Sequence, residues 1–297
     1  MESEHKYIRE ISKYSDQIGG FAAKYGNLVA SCDGVGTKIL LAQIANKEYG
    51  RPLNSIGIDC VAMVVNDLLC KGAEPMFFMD YYASDKLVER EFYEVLSGIQ
   101  DGCVEAGMEL VGGETAELNG VIAKETFDVC GFGIGKLIEE LPKDNICIGD
   151  SVIGLTSTGF HSNGFTLLRK HIEHPCSAYE LSILLKPTKI YVNDIETIRE
   201  AGVPIKALAH ITGGGFKNVN RILPDDMEVN YIETDSYYAH DKLFQNIQER
   251  ANLTMEEMRD IFNCGIGMVM IISPEDIVDL PIDYVYLGEI DGKSKDR

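Results

Sequence analysis

The sequence predicts an α/β (α+β) protein of two domains. Apolar segments with strand character alternate with segments of helical spacing along the whole chain. A turn-forming break, Leu141-Pro142-Lys143-Asp144-Asn145-Ile146, interrupts this alternation near the middle, and the pattern then begins again. The expected division is therefore 1–143 and 144–297, each of ordinary domain size, because 297 residues is long for one core.

The first 26 residues read as a mobile arm ending at Gly19-Gly20-Phe21. Residues 27–32 form a short apolar strand and 38–49 a helix. In 59–71, Val61, Val64, Val65, Leu68 and Leu69 recur at helical spacing. Pro75 to Ala83 is rich in aromatics and predicts a strand. A helix over 88–106, a strand over 108–112 and a strand over 126–138 complete the first half. Beyond the break, strands are expected at 151–156, 206–211, 227–233, 265–273 and 283–290, with a glycine-marked helix after the first and helices near 188–201 and 240–250.

Bulk properties exclude several classes. A net charge of −20 opposes binding to nucleic acid or an anionic membrane, both of which are repelled at long range. No apolar run approaches the roughly 18 residues of a membrane span, and Met1 to Lys6 lacks the apolar core of a signal peptide, so a cytoplasmic protein is expected. Eight cysteines form no Cys-x-x-Cys pair, and they read as small buried hydrophobes in a reducing compartment.

No Gly-x-x-x-x-Gly-Lys-Ser/Thr motif occurs, and Gly131, Gly133 and Gly135 sit inside a strand, where they permit close backbone approach. Asp33-Gly34-Val35-Gly36-Thr37-Lys38 differs, because it follows a strand and opens a helix. Its glycines let N–H groups turn toward an anion, Lys38 supplies a point charge, and Asp33 offers a carboxylate to a metal. A tight turn with a solvated Asp and Lys is the alternative. Asp59, Met63 and Asp67 share one helix face, where a carboxylate needs a partner or a cation. A helix cap, or a pair with Lys71, is the alternative there. Glu114, in Gly112-Gly113-Glu114-Thr115, is expected to project from a strand end. Asp33, Asp67 and Glu114 thus form a candidate Mg²⁺ site beside a nucleotide, with a surface turn the other reading of Glu114. In the second half, Thr158 to Gly164 and Ala209 to Gly215 each place a His, a hydroxyl and glycine amides at a strand-to-helix junction, suited to a phosphate or ribose or to structural roles. Phe262 to Met268 reads as a glycine-permitted bend carrying one polar Asn.

Taken together and in order, Asp33–Lys38, Gly57-Ile58-Asp59, Val65–Leu68, Gly72–Pro75, Asp80–Ala83, Gly112–Glu117, His161–Gly164, Lys186–Val192, His210–Gly215 and Phe262–Met268 resemble the phosphoribosylformylglycinamidine cyclo-ligase (aminoimidazole ribonucleotide synthetase) family. The likeness spans about residues 18 to 290. It departs from the family pattern in a shorter N-terminal segment and in Leu118-Asn119, where a Met-Pro is usual.

The resemblance implies an N-terminal α/β domain forming a barrel across a homodimer, and a C-terminal α+β sandwich. It implies ATP and formylglycinamidine ribonucleotide as substrates and Mg²⁺ as cofactor. It places metal and triphosphate on Asp33, Asp67 and Glu114, and phosphate on Gly34, Gly36, Thr37, Lys38, Gly112, Gly113 and Thr115. Substrate contacts fall to His161, Ser162, Asn163, Gly164, Thr212, Gly213 and Gly214, with Lys38, His161 and His210 as the catalytic candidates.

Overall fold

A computed structural model describes residues 10–15, 18, 20–172, 177–232 and 238–293 of the chain. Its first half is a five-stranded mixed sheet. Strand β1 (Ala23–Tyr25) and β2 (Leu28–Gly34) are followed by helices α1 (Lys38–Tyr49) and α2 (Asn54–Cys70), then β3 (Ala73–Ser84), α3 (Glu89–Glu105), β4 (Glu109–Glu117) and β5 (Phe127–Leu137). The order is β1-β2-β5-β3-β4, with β3 and β4 parallel and the other pairs antiparallel.

The second half begins with β6 (Ser151–Thr156), α4 (Phe165–His171), α5 (Ala178–Leu184), α6 (Val192–Glu200) and β7 (Ala207–His210). It ends with β8 (Met227–Tyr231), α7 (Asp241–Ala251), α8 (Met255–Ile261), β9 (Ile266–Ile272) and β10 (Val285–Gly292). This sheet, β7-β9-β6-β10-β8, is wholly antiparallel.

Helix α2 explains how the halves join. Only Asn54, Ile58 and Asp67 of its residues escape burial, the signature of a helix covered on all sides. One side packs on the first sheet, where Gly131 and Gly133 leave room for it. A Cβ on Gly133 would lie 2.7 Å from Val64, so these glycines are packing devices as expected. The opposite side meets the second sheet, with Cys70 Sγ 3.8 Å from Met268 Sδ. Strand β9 is consequently buried along its whole length.

The other face of the first sheet is uncovered and apolar. Leu28, Met76, Tyr81 and Phe132 are all more than a third exposed on it or at its rim.

Several expectations are corrected. The strand expected to stop at 112 continues through Gly113-Glu114 to Glu117, because it pairs with β3 residue by residue to Ser84. Glu114 is therefore a mid-strand residue, not a strand-end one. The helix expected from 188 begins at Val192, because 186–191 is held extended by side chains of the first half. The arm ends in β1 rather than running free, although Gly19 and Lys6 lie outside the described residues. Cys32 and Cys147 are exposed, while Cys60, Cys70, Cys103 and Cys264 are buried as expected; Cys176 lies outside the described residues.

Candidate functional site

The loop Asp33–Thr37 leaves β2 and enters α1, whose first turn carries no side-chain cap. Gly36 adopts φ 72°, a conformation open to glycine, and is exposed at the loop tip. Across the domain boundary, Thr37 Oγ1 meets Thr166 Oγ1 at 3.1 Å. The loop therefore faces the second domain, and a cleft runs between them.

Two carboxylates stand in this cleft. Asp33 accepts a hydrogen bond from Gly34 N at 2.7 Å. Burial, followed by the neighbouring Asp67 carboxylate, raises the Asp33 pKa to about 6, although Gly34 N–H, His210 and Arg221 oppose the shift. Asp67 is held from the other domain by His210 Nδ1 at 3.1 Å. A carboxylate only accepts, so this nitrogen carries the ring proton. His210 Nε2 then accepts from Asn66 Nδ2 at 3.3 Å, and Asn66 is itself fixed by Lys189 O and Tyr191 N. His210 is fully buried and acts as an orienter of Asp67 rather than as a group open to substrate.

Asp33 and Asp67 fit a divalent cation. They are two partly desolvated like charges whose repulsion a cation relieves, and Mg²⁺ commonly takes one or two carboxylates plus phosphate oxygens and water. Glu114 is not brought to them. Cross-strand register places Asp33, Gly131, Asp80 and Gly113 in one row on the helix-covered face, whereas Glu114 pairs with Tyr81 on the other face. Gly113 stands three strand spacings, about 14 Å, from Asp33. Among the described residues, no three His, Cys, Asp or Glu side chains are grouped to hold a metal. The expected three-carboxylate site is thus two carboxylates, and Gly112, Gly113 and Thr115 line a separate cavity with Asp80 and Phe92.

Lys38 is also corrected. Its ammonium is completely buried, 2.9 and 2.7 Å from the two oxygens of Asp59, and donates to Lys186 O at 2.7 Å. Burial lowers its pKa, and the Asp59 carboxylate opposes that. Lys38 fastens the domains together and does not face the cleft.

Asp59 further accepts from Thr188 N and Thr188 Oγ1, both at 2.7 Å, and Ser162 Oγ meets the same Thr188 hydroxyl at 2.8 Å. His161 Nε2 accepts from Thr158 N and Lys189 N. Burial holds its pKa well below the ordinary histidine value, so the ring is neutral. Gly267 is required beside it, because a Cβ there would lie 2.3 Å from the imidazole. Asn263 donates to Gly159 O and accepts from Gly265 N, so the Phe262–Met268 segment is structural, as expected. His161 and Ser162 therefore belong to the seam around residues 186–191, not to an open substrate surface.

Asn163 and the Thr212–Gly214 loop do come together at the cleft. Asn163 Oδ1 would be 3.5 Å from a Cβ on exposed Gly213, and Asn163 Nδ2 is buried without a hydrogen-bond partner. Gly164 lies at the start of α4 beside this pair. Arg221 is the group that motif reasoning missed. Its guanidinium stacks 4.0 Å from the Phe21 ring centroid, donates to Gly20 O and Asn218 Oδ1, and bears electrostatically on Asp33. No local pattern marks it, because its neighbours are brought in from residues two hundred positions away.

Two family models match in order: AIR synthase related protein, N-terminal domain, over residues 20–137, and the corresponding C-terminal domain over 148–285. The phosphoribosylformylglycinamidine cyclo-ligase of Alkaliphilus oremlandii is 42% identical over 283 residues, covering 88% of this chain and 81% of that protein. That of Brevibacillus brevis is 39% identical over 295 residues, covering 92% and 83%. Among solved structures, thiamine monophosphate kinase from Aquifex aeolicus superposes with a TM-score of 0.70 at 17% identity, covering 98% of this chain and 95% of that one. Hydrogenase maturation protein HypE in complex with ATP superposes with a TM-score of 0.64 at 17% identity, covering 90% and 78%. At such identities these two establish the fold alone, whereas the sequence relatives establish more: the chain belongs to the phosphoribosylformylglycinamidine cyclo-ligase family, ligases of purine biosynthesis.

Proposed function

We propose that the cleft between the Asp33–Thr37 loop and the Asn163 and Thr212–Gly214 loops carries out Mg²⁺- and ATP-dependent closure of the imidazole ring, converting formylglycinamidine ribonucleotide to aminoimidazole ribonucleotide. The single observation that carries this reading is the Asp33–Asp67 pair, partly buried like charges whose mutual repulsion persists beside His210 and Arg221 in a family-matched cleft. The ATP complex of the fold neighbour HypE supports a nucleotide at such a fold.

The chemistry follows from the poor leaving ability of an amide oxygen. The formyl oxygen attacks the γ-phosphorus and ADP departs, leaving an iminophosphate. The amidine nitrogen then attacks that carbon; phosphate leaves and a proton is released as the ring closes. Asp33 and Asp67 would hold Mg²⁺, which when bound neutralises triphosphate charge. The Gly36 and Thr37 amides contribute donors to the triphosphate. His210 and Asn66 hold Asp67 aimed into the cleft, a role in which loss of an outer partner costs roughly 10–100-fold in affinity or activity. Asn163 and Gly213 provide polar contacts to the substrate amide. Positioning and charge neutralisation, rather than covalent chemistry by a side chain, account for the rate.

We further propose a cytoplasmic homodimer in which the uncovered sheet faces, presenting Leu28, Tyr81 and Phe132, close into a barrel across the two-fold axis. Sedimentation giving a monomer at micromolar concentration contradicts the dimer. The decisive test of function is incubation with ATP, Mg²⁺ and formylglycinamidine ribonucleotide and assay for aminoimidazole ribonucleotide; a folded dimer that makes no product overturns the ligase reading.

A further inference from the structure

A cavity of about 750 Å³ lies beside α1 and the far ends of β3 and β5, away from the Asp33 pair. Four cations border it: Lys47, Lys86 and Lys124 from the first domain and Arg169 from the second. Lys47 is 4.0 Å from Glu125, and the other three make no ion pair among the described residues. In a chain of net charge −20 such a concentration is exceptional. The carboxylates that share the rim are engaged locally. Asp85 accepts from Glu125 N, and Glu91 accepts from Gln43.

The floor carries a second signal. Ser84 is 1% exposed, and its hydroxyl has no hydrogen-bond partner among the described residues. A buried hydroxyl without a partner at a cavity wall awaits one from within the cavity.

The cavity lies one helical turn from the contact that bounds the proposed site. Leu40 and Arg169, both on its wall, lie one helical turn beyond Thr37 and Thr166, the pair that bridges the cleft. Ser84 is four residues, about 13 Å, along β3 from Asp80, and Asp33 lies two strand spacings, about 10 Å, across the sheet in the row of Asp80. Two anionic groups enter this enzyme, a triphosphate and a ribose 5′-phosphate. The triphosphate takes the metal-binding carboxylates and the loop amides, so the second cluster of cations is left for the second anion.

We propose that this cavity binds the phosphate monoester end of the ribonucleotide substrate, with the Arg169 guanidinium as its forked donor, Lys86 and Lys124 as flanking charges, and Ser84 Oγ donating from the floor. The assignment rests on the ligase reading above. It locates the phosphoribosyl group away from His161, Ser162 and His210, which are buried in contacts between the domains.

The test is steady-state kinetics in both substrates for Arg169→Ala and for the Lys86→Ala/Lys124→Ala pair, with calorimetric titration of formylglycinamidine ribonucleotide in the absence of ATP. Loss of a charge-assisted contact raises KM and Kd for the ribonucleotide about tenfold or more and leaves kcat and KM for ATP close to wild type. Ser84→Ala weakens the ribonucleotide while leaving Tm unchanged, since no protein hydrogen bond is lost. An unchanged ribonucleotide Kd in Arg169→Ala and in the double lysine variant overturns the proposal, as does a rise confined to ATP. A wild-type protein that binds the ribonucleotide through Arg169 but forms no product overturns the ligase reading instead and leaves the cavity assignment standing.

Discussion

Two polar regions lie a few residues apart in this molecule and differ in how their groups are satisfied. In the seam around residues 186–191, Lys38, Asp59, Thr188, Ser162 and Asn66 are paired with one another or with backbone, and His161 accepts through Nε2 while its buried Nδ1 has no hydrogen-bond partner among the described residues. At the cleft, Asp33 and Asp67 repel each other and Asn163 Nδ2 has no partner. Both regions are built from the same kinds of motif. Charge balance separates architecture from chemistry: a buried network whose charges are paired holds domains together, whereas neighbouring like charges call for a cation. His210 belongs to both, since it is locked by Asn66 on one nitrogen and presents Asp67 with the other.

The comparison breaks most readily at Lys38. Removing it leaves Asp59 charged, buried and held only by Thr188, so Lys38→Ala is expected to lose about 3–5 kcal/mol of stability, read by denaturant unfolding. Wild-type stability with a raised KM for ATP would restore Lys38 to the phosphate and undo the distinction. Asp67→Asn should do the reverse. An amide oxygen still accepts from His210, so Tm changes little, while turnover falls roughly 10²–10³-fold with loss of a charge that the reaction needs. Equal kinetics in wild type and variant would take Asp67 out of the site.

The smallest effect sharpens the comparison through pH. Asp33 has a folded pKa of about 6, above its unfolded value near 4. The unfolded chain therefore loses its proton first as pH rises. The Asp33 contribution to stability of the ligand-free protein declines between about pH 4 and 6 and stays low above that window. Asp33→Asn should remove this decline and stabilise the ligand-free protein at neutral pH by up to about 3 kcal/mol. A variant less stable than wild type at pH 7 would show that Asp33 is structurally satisfied after all.

Much of the fold is legible locally. The α1 helix, the α3 helix and strands β6, β7 and β9 fall within a few residues of where periodicity puts them. Shorter pieces escape it. Helices α5 and α8 are announced only by the capping boxes Ser177–Glu180 and Thr254–Glu257, and β1 is too short to carry a period. The extension of β4 through Gly113-Glu114 comes from pairing with β3, which a propensity for turns at glycine pairs obscures.

The sequence by itself determined that this is a two-domain α/β protein, which residues carry titratable or ligand-seeking chemistry, and through the order of its motifs which family it belongs to. Those properties reside in local spacing and residue type. Only the tertiary structure decided which of the motif residues are enclosed between the domains and which stand at the cleft. Asp33 and Asp67 are drawn together by a helix crossing a sheet, Glu114 is turned to the far side by strand alternation, and Lys38 and His161 are enclosed when the second domain closes over α2. A side chain's partners across a hundred residues are set by packing, and it is those partners that make one lysine a fastener and one aspartate a candidate metal ligand.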